Sequence, residues 1–176
     1  MDDNNAHILE EIIRLVRPIL PYVSNPLPRS AKYDITDWSD KDTLMGITLT
    51  DLVTFANGVV LLDCVNVMET DENGKGIVSS ERLLLSDRGE LIHQSISGGY
   101  SLENKTMEIS QYGDTKTLTV DKAIKHIKQA CHVDPFPVHL LIQQTTRMLE
   151  REANRHPKEA RSIRNRAGRI ENLMKR

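Results

Sequence analysis

From Ala6 to Leu20 the apolar positions Ile8, Ile12, Leu15, Val16 and Ile19 recur every three or four residues, behind acidic and amide residues that can cap a helix start. The spacing predicts an amphipathic helix within an N-terminal segment, 1–22. Pro18 and Pro21 bring its end forward, because proline lacks the N–H that a continuing helix needs, and Pro26 and Pro28 stiffen a connector over 23–31. The Pro26-Leu27-Pro28-Arg29 run lacks a full PxxP frame and reads as a linker.

Over 32–120 the apolar period shortens to two. Asn57-Gly58, between Leu52-Val53-Thr54-Phe55 and Val59-Val60-Leu61-Leu62, carries a type I′ hairpin signal, with a helical reading of Leu49, Leu52, Val53 and Ala56 left open. Further strands are predicted over 60–69, 77–85, 90–97, 106–111 and 116–120, with turns at 71–76, 87–89, Gly98-Gly99 and Gly113-Asp114. Consecutive strands with short turns imply an antiparallel meander of about five to seven strands, since parallel pairs need long crossovers.

Helical spacing returns over 121–176. Asp121 is expected to cap a helix that buries Ala123, Ile124, Ile127, Ala130 and Cys131, and Pro135 and Pro137 mark its end. A longer helix follows with Val138, Leu141, Ile142, Thr145, Met148 and Leu149 inside, and His156-Pro157 introduces a last one. The expected fold is α+β in a single domain: N-terminal amphipathic helix, Pro-rich connector, central antiparallel sheet and a C-terminal portion of about three helices. The Ile8 to Ile19 stripe is expected to cover one sheet face.

Composition refines this picture. The 176 residues are 39% hydrophobic but only 4% aromatic, so Leu, Ile and Val must form the core. No apolar run approaches the ~18 residues of a membrane span, and the acidic start is unlike a signal peptide. Cys64 and Cys131, far apart in apolar-flanked segments, suit buried reduced thiols better than a disulfide framework, which points to a cytoplasmic, reducing location. Without a secretory signal, Asn104-Lys105-Thr106 reads as a polar turn rather than a glycosylation site.

Charge is unevenly spread. Residues 147–176 hold ten Lys or Arg against four Glu, or +6, while the remaining 13 basic and 21 acidic residues give −8, within a total of −2. The split predicts docking of one part on another or an anionic partner for the tail.

Candidate catalytic and metal patterns fail on spacing. The loop from Glu69 to Gly76 alternates oxygen ligands, but framed as an EF-hand it puts Arg82 or Ser80 where the bidentate Glu belongs. Cys131-His132 with Asp134 and His126 could suggest a metal cluster or thiol nucleophile, yet no CxxC or HxxxH occurs and Cys131 falls on an apolar stripe. Asp63, Glu69, Glu81 and Glu108 could serve a small hydrolase, but alternation along strands is expected to place such acids on a solvated face. No catalytic residue, metal or cofactor is therefore assigned.

The C-terminal helix carries the clearest signal. Ala160, Ile163, Ala167, Ile170 and Met174 form an a/d-type seam for packing against another helix. Arg161, Arg164, Arg166 and Arg169 lie beside or opposite it, as partner-binding or phosphate-binding groups. The plain alternative lays the seam on the helix from Val138 to Asn154. These features predict a non-enzymatic interaction or assembly protein that meets a protein partner, including another copy of itself, through this helix. The alternative is a nucleic-acid binder gripping the phosphate backbone through the same arginines. The absence of any aromatic after Phe136 leaves bases no stacking platform there and weakens it.

Overall fold

The computed structural model describes residues 2–23, 31–34, 58–67, 75–101 and 106–175. Most of the connector, the residues before Gly58 in the Asn57-Gly58 hairpin and most of the Glu69 to Gly76 loop lie outside them. Helix α1 spans Asp2–Val16 and tightens into a 3-10 turn, Arg17–Ile19, before the short α2, Leu20–Val23. Pro18 sits inside the 3-10 turn, where its missing N–H is tolerated, so the α-helix stops just ahead of it as the sequence predicts.

Among the described residues five strands follow: β1 Ala31–Asp34, β2 Gly58–Val67, β3 Lys75–Ser86, β4 Leu91–Ser101 and β5 Thr106–Thr117. They form one antiparallel sheet in the order β1-β5-β4-β3-β2. Two expected turns are not turns. Gly98 and Gly99 lie within β4, where Gly98 faces Val78 on β3 and Ile109 on β5, and the register shifts beside it. Gly113-Asp114 falls inside β5 at a second register shift, opposite Gln94 to Ile96. Glycine that signals a turn locally serves here where strands bulge, and cross-strand pairing decides between the two.

Beyond the sheet lie α3 Val120–Ala130, α4 Val138–Arg155, α5 Ala160–Glu171 and a closing 3-10 turn, Asn172–Lys175. Thr119, not Asp121, caps α3: its Oγ1 accepts from the Lys122 N–H at 3.4 Å, and Asp121 sits in the first turn, where its charge favours the helix dipole.

A single hydrophobic cluster joins all these layers, from Ile8 through Leu62, Leu83 and Leu85 to Ile170. The α1 stripe does not chiefly cover the sheet. It packs on α3 and α5, while α4 lies on β2 and α3 lies on β3 and β4. The reason is its width: Leu9 and Ile13 are buried along with Ile8, Ile12, Leu15 and Val16, a face broad enough to wedge between two helices.

Among the described residues strand β2 is the sheet edge on its side, and α4 closes it. The Gln144 amide accepts from the Asp63 N–H at 2.6 Å and donates to the Asp63 carbonyl at 3.0 Å. Thr145 Oγ1 donates to the Leu61 carbonyl at 3.0 Å. Two side chains of one helix thus stand in for a neighbouring strand on groups that would otherwise be buried unpaired.

Candidate functional site

The C-terminal seam is buried by its own chain. Ile163 and Ile170 are 0% exposed, Ala167 1% and Ala160 8%, packed on α4 and α1, while Met174 at the end is 37% exposed. The helix is therefore a closing element on the 138–155 helix, the plain alternative raised by the sequence, and its seam residues are spent inside the fold. The structure also separates the four arginines into two kinds.

Arg164 and Arg166 are tied to neighbouring helices, Arg164 at the surface and Arg166 half-buried. Arg164 donates to Asn154 Oδ1 at 2.8 Å and lies 3.5 Å from a Glu150 carboxylate oxygen, which fastens α5 to α4. Arg166 Nη1 donates to the Leu15 carbonyl at 3.0 Å. A 3-10 turn calls on residue 18 to satisfy that carbonyl, and residue 18 is proline, so the guanidinium supplies the missing donor at the negative end of the α1 dipole.

Arg161 and Arg169 are exposed, and with Lys158, Ser162, Asn165 and Arg166 they line a shallow open depression of about 440 Å³ along α5. Among the described residues neither Lys158 nor Arg161 makes an ion pair, and Arg169 acts on Glu11 of α1 only through its field. Glu11 is bound to Arg14 at 2.6 Å, and that contact first of all holds its carboxyl below the ordinary value. One face of α5 therefore keeps positive charge uncommitted.

A second cluster, scattered in sequence, converges under α3. Register places Cys64 beside Glu81 and Glu81 beside Ser95, in one row on the core-facing side of the sheet. Glu81 Oε2 accepts from Ser95 Oγ at 2.6 Å and contacts His93 Nε2 at 2.6 Å. The His93 ring meets the His126 ring of α3 edge to face, centroids 4.2 Å apart. Burial, followed by the nearby His93, pushes His126 below its ordinary value.

Cys131, which follows the last residue of α3, and Cys64 on β2 act on each other's ionisation. The neighbouring Cys131 thiol, followed by burial, drives the Cys64 thiol far above its ordinary range, whereas Cys64 lowers Cys131. Both cysteines are free and half-buried. Sequence reading named His126, Cys131 and Glu81 in two separate patterns and missed Cys64, His93 and Ser95 as their neighbours. Strand alternation could have put Glu81 and Leu83 on one face, but no local signal pairs residue 64 with 131.

The remaining candidates disperse. Asp134 pairs with Lys128 at 3.2 Å, and His132 is exposed at a positive φ of 53°. Asp63 is not on a solvated face: it is 1% exposed and joined to the fully buried Arg82 at 2.8 Å. Asp63 and Glu81 stand on opposite faces, because their register partners are adjacent residues. Glu69 and the side chain of Glu108 lie outside the described residues. Among the described residues no group of three or more His, Cys, Asp or Glu could hold a metal ion, and no helix is long and apolar enough to cross a membrane. Compared with protein-family models, curated proteins and solved structures, the chain matches none of them.

Proposed function

We propose that this chain is a non-enzymatic interaction or assembly protein that docks an acidic protein surface on the basic face of α5, with a second copy of itself as the first candidate partner. The observation that carries the reading is the division of labour on that helix. Its apolar seam is consumed internally, yet Lys158, Arg161 and Arg169 remain on the surface beside a body whose sequence carries −8. Opposite charge between tail and body favours association of copies and speeds it.

Two observations weigh against the other readings. With Arg164 paired on α4 and Arg166 on α1, Lys158, Arg161 and Arg169 are the cations left unengaged on this face of α5 among the described residues, which limits nucleic-acid affinity. A hydrolase would need converging carboxylates, and Asp63 and Glu81 diverge across the sheet. Two free, half-buried thiols support a cytoplasmic, reducing setting.

Light scattering coupled to size exclusion tests the proposal. The expected result is a dimer or larger species at about 20 mM salt that dissociates near 500 mM, since exposed charges are screened within a few ångströms at high salt. The variant carrying Lys158→Glu, Arg161→Glu and Arg169→Glu should stay monomeric at both. A monomer at every ionic strength and concentration defeats self-assembly. A short DNA duplex run alongside distinguishes the phosphate reading by a salt slope of about −3.

A further inference from the structure

Helix α3 is held to the sheet by few apolar groups and by one polar contact. It buries Ala123, Ile124 and Ile127, against nine residues on α4 and four on α5. Beside them the half-buried His126 ring meets the buried His93 ring of β4 edge to face, centroids 4.2 Å apart. The charged groups that act on His126 come from three strands: His93 from β4, Lys116 from β5 and Glu81 from β3. Helix α1 also packs on α3, and no charge of α1 belongs to this set. Among these groups Glu81 is the anion, and its Oε2 already meets Ser95 Oγ and His93 Nε2 at 2.6 Å each.

We propose that the contact between His93 and His126 is an acid-sensitive latch: a proton on His126 loosens α3 from the sheet while α4 and α5 keep their packing. With His93 protonated on Glu81, a second proton on His126 sets two like charges in ring contact, and Lys116 adds to the repulsion from β5. The Glu81 oxygen that could offset them is taken. A half-buried ring escapes this by moving outward into water, and it carries its helix with it.

The sign follows from the two states. Docked, His126 is held below its ordinary value by burial and then by His93; undocked, it regains its hydration and that value. The loosened helix therefore takes up the proton first as pH falls, so the latch is closed above the ordinary value and favours opening below it. The opening is local because α3 has the fewest buried residues of the three C-terminal helices. What it uncovers is apolar: Ala123, Ile124 and Ile127, with the row of β3 that carries Leu83 on the same face as Glu81. The latch uses none of the α5 cations, so it stands apart from the docking role.

Hydrogen exchange of the full chain tests this at about pH 7.5 and about pH 5.5, either side of the ordinary histidine value, read as protection factors so that the intrinsic pH dependence of exchange cancels. The expected result is a several-fold fall in the protection of α3 at the lower pH, with α4 and α5 little changed. In His126→Gln the fall is absent. In Lys116→Gln, a change at an exposed site, the fall is smaller, because one charge opposing the proton is gone. The proposal is overturned if α3 keeps its protection at the lower pH, if α3, α4 and α5 lose protection together, or if His126→Gln responds as the native chain does. Should His126→Gln fail to fold, Lys116→Gln decides: an undiminished fall in α3 overturns the latch as well.

Discussion

The amide of Gln144 satisfies two backbone groups of Asp63 at once, accepting at 2.6 Å and donating at 3.0 Å, and it does so while only 6% exposed. Gln144→Leu keeps the volume and removes both partners. Each buried group left unpaired costs about 1–3 kcal/mol, so the urea midpoint should fall substantially with an unchanged slope. Gln144→Glu should cost more, since it loses the donor and buries a charge. A Leu variant as stable as the native chain would show that water replaces the amide. Gln144 was legible in part. It stands three residues after Leu141 and four before Met148, on the wheel arc of the buried stripe, and a polar amide at such a position signals a backbone partner. The identity of that partner, a strand edge some eighty residues earlier, has no local trace.

At the scale of elements, helices were read more accurately than strand ends, and glycine explains the difference. The helix periods over 6–20, 121–131, 138–154 and 160–174 all correspond to observed helices, because an apolar stripe reports directly on the face it buries. A glycine between apolar runs reports only that the chain departs from regularity. Gly89 is the true turn residue: its φ is +78°, its N–H bonds the Ser86 carbonyl at 2.9 Å, and a Cβ there would come within 3.1 Å of Arg17 Nε. Gly99 lies in a strand, and among the described residues its Cβ would meet the Gly76 carbonyl at 3.6 Å, an ordinary contact. Gly89→Ala should therefore destabilise by about 1 kcal/mol or more, through the left-handed backbone and the displaced arginine. Gly99→Ala should be neutral or stabilise by about 0.4–1 kcal/mol through the unfolded chain. Thermal melts of the two variants separate a turn glycine from a strand glycine. Equal losses in both would contradict this assignment.

Across the whole molecule, α3 is held to the sheet through groups that titrate as well as through apolar packing. His126 on α3 faces His93 on β4, Glu81 on β3 and Lys116 on β5. Sequence order hid this meeting, since each strand contributes one group and only the register of the sheet brings them under one helix. Its consequence for stability has a definite sign. The folded protein holds His126 below the ordinary value of 6.5, so the unfolded chain takes up the proton first. The contribution is full above that value and is lost as pH falls through it. Glu11 acts in the same direction further down: its lowered carboxyl stabilises above 4.5 and the benefit disappears as pH drops below. Melting temperature should therefore decline as pH goes from about 7.5 to about 5.5, before the carboxylates titrate. His126→Gln keeps a polar group at the helix face and removes the proton site, so it should flatten the curve in that window while leaving the steeper fall below pH ~4.5. A variant curve parallel to the native one throughout would place the titration elsewhere.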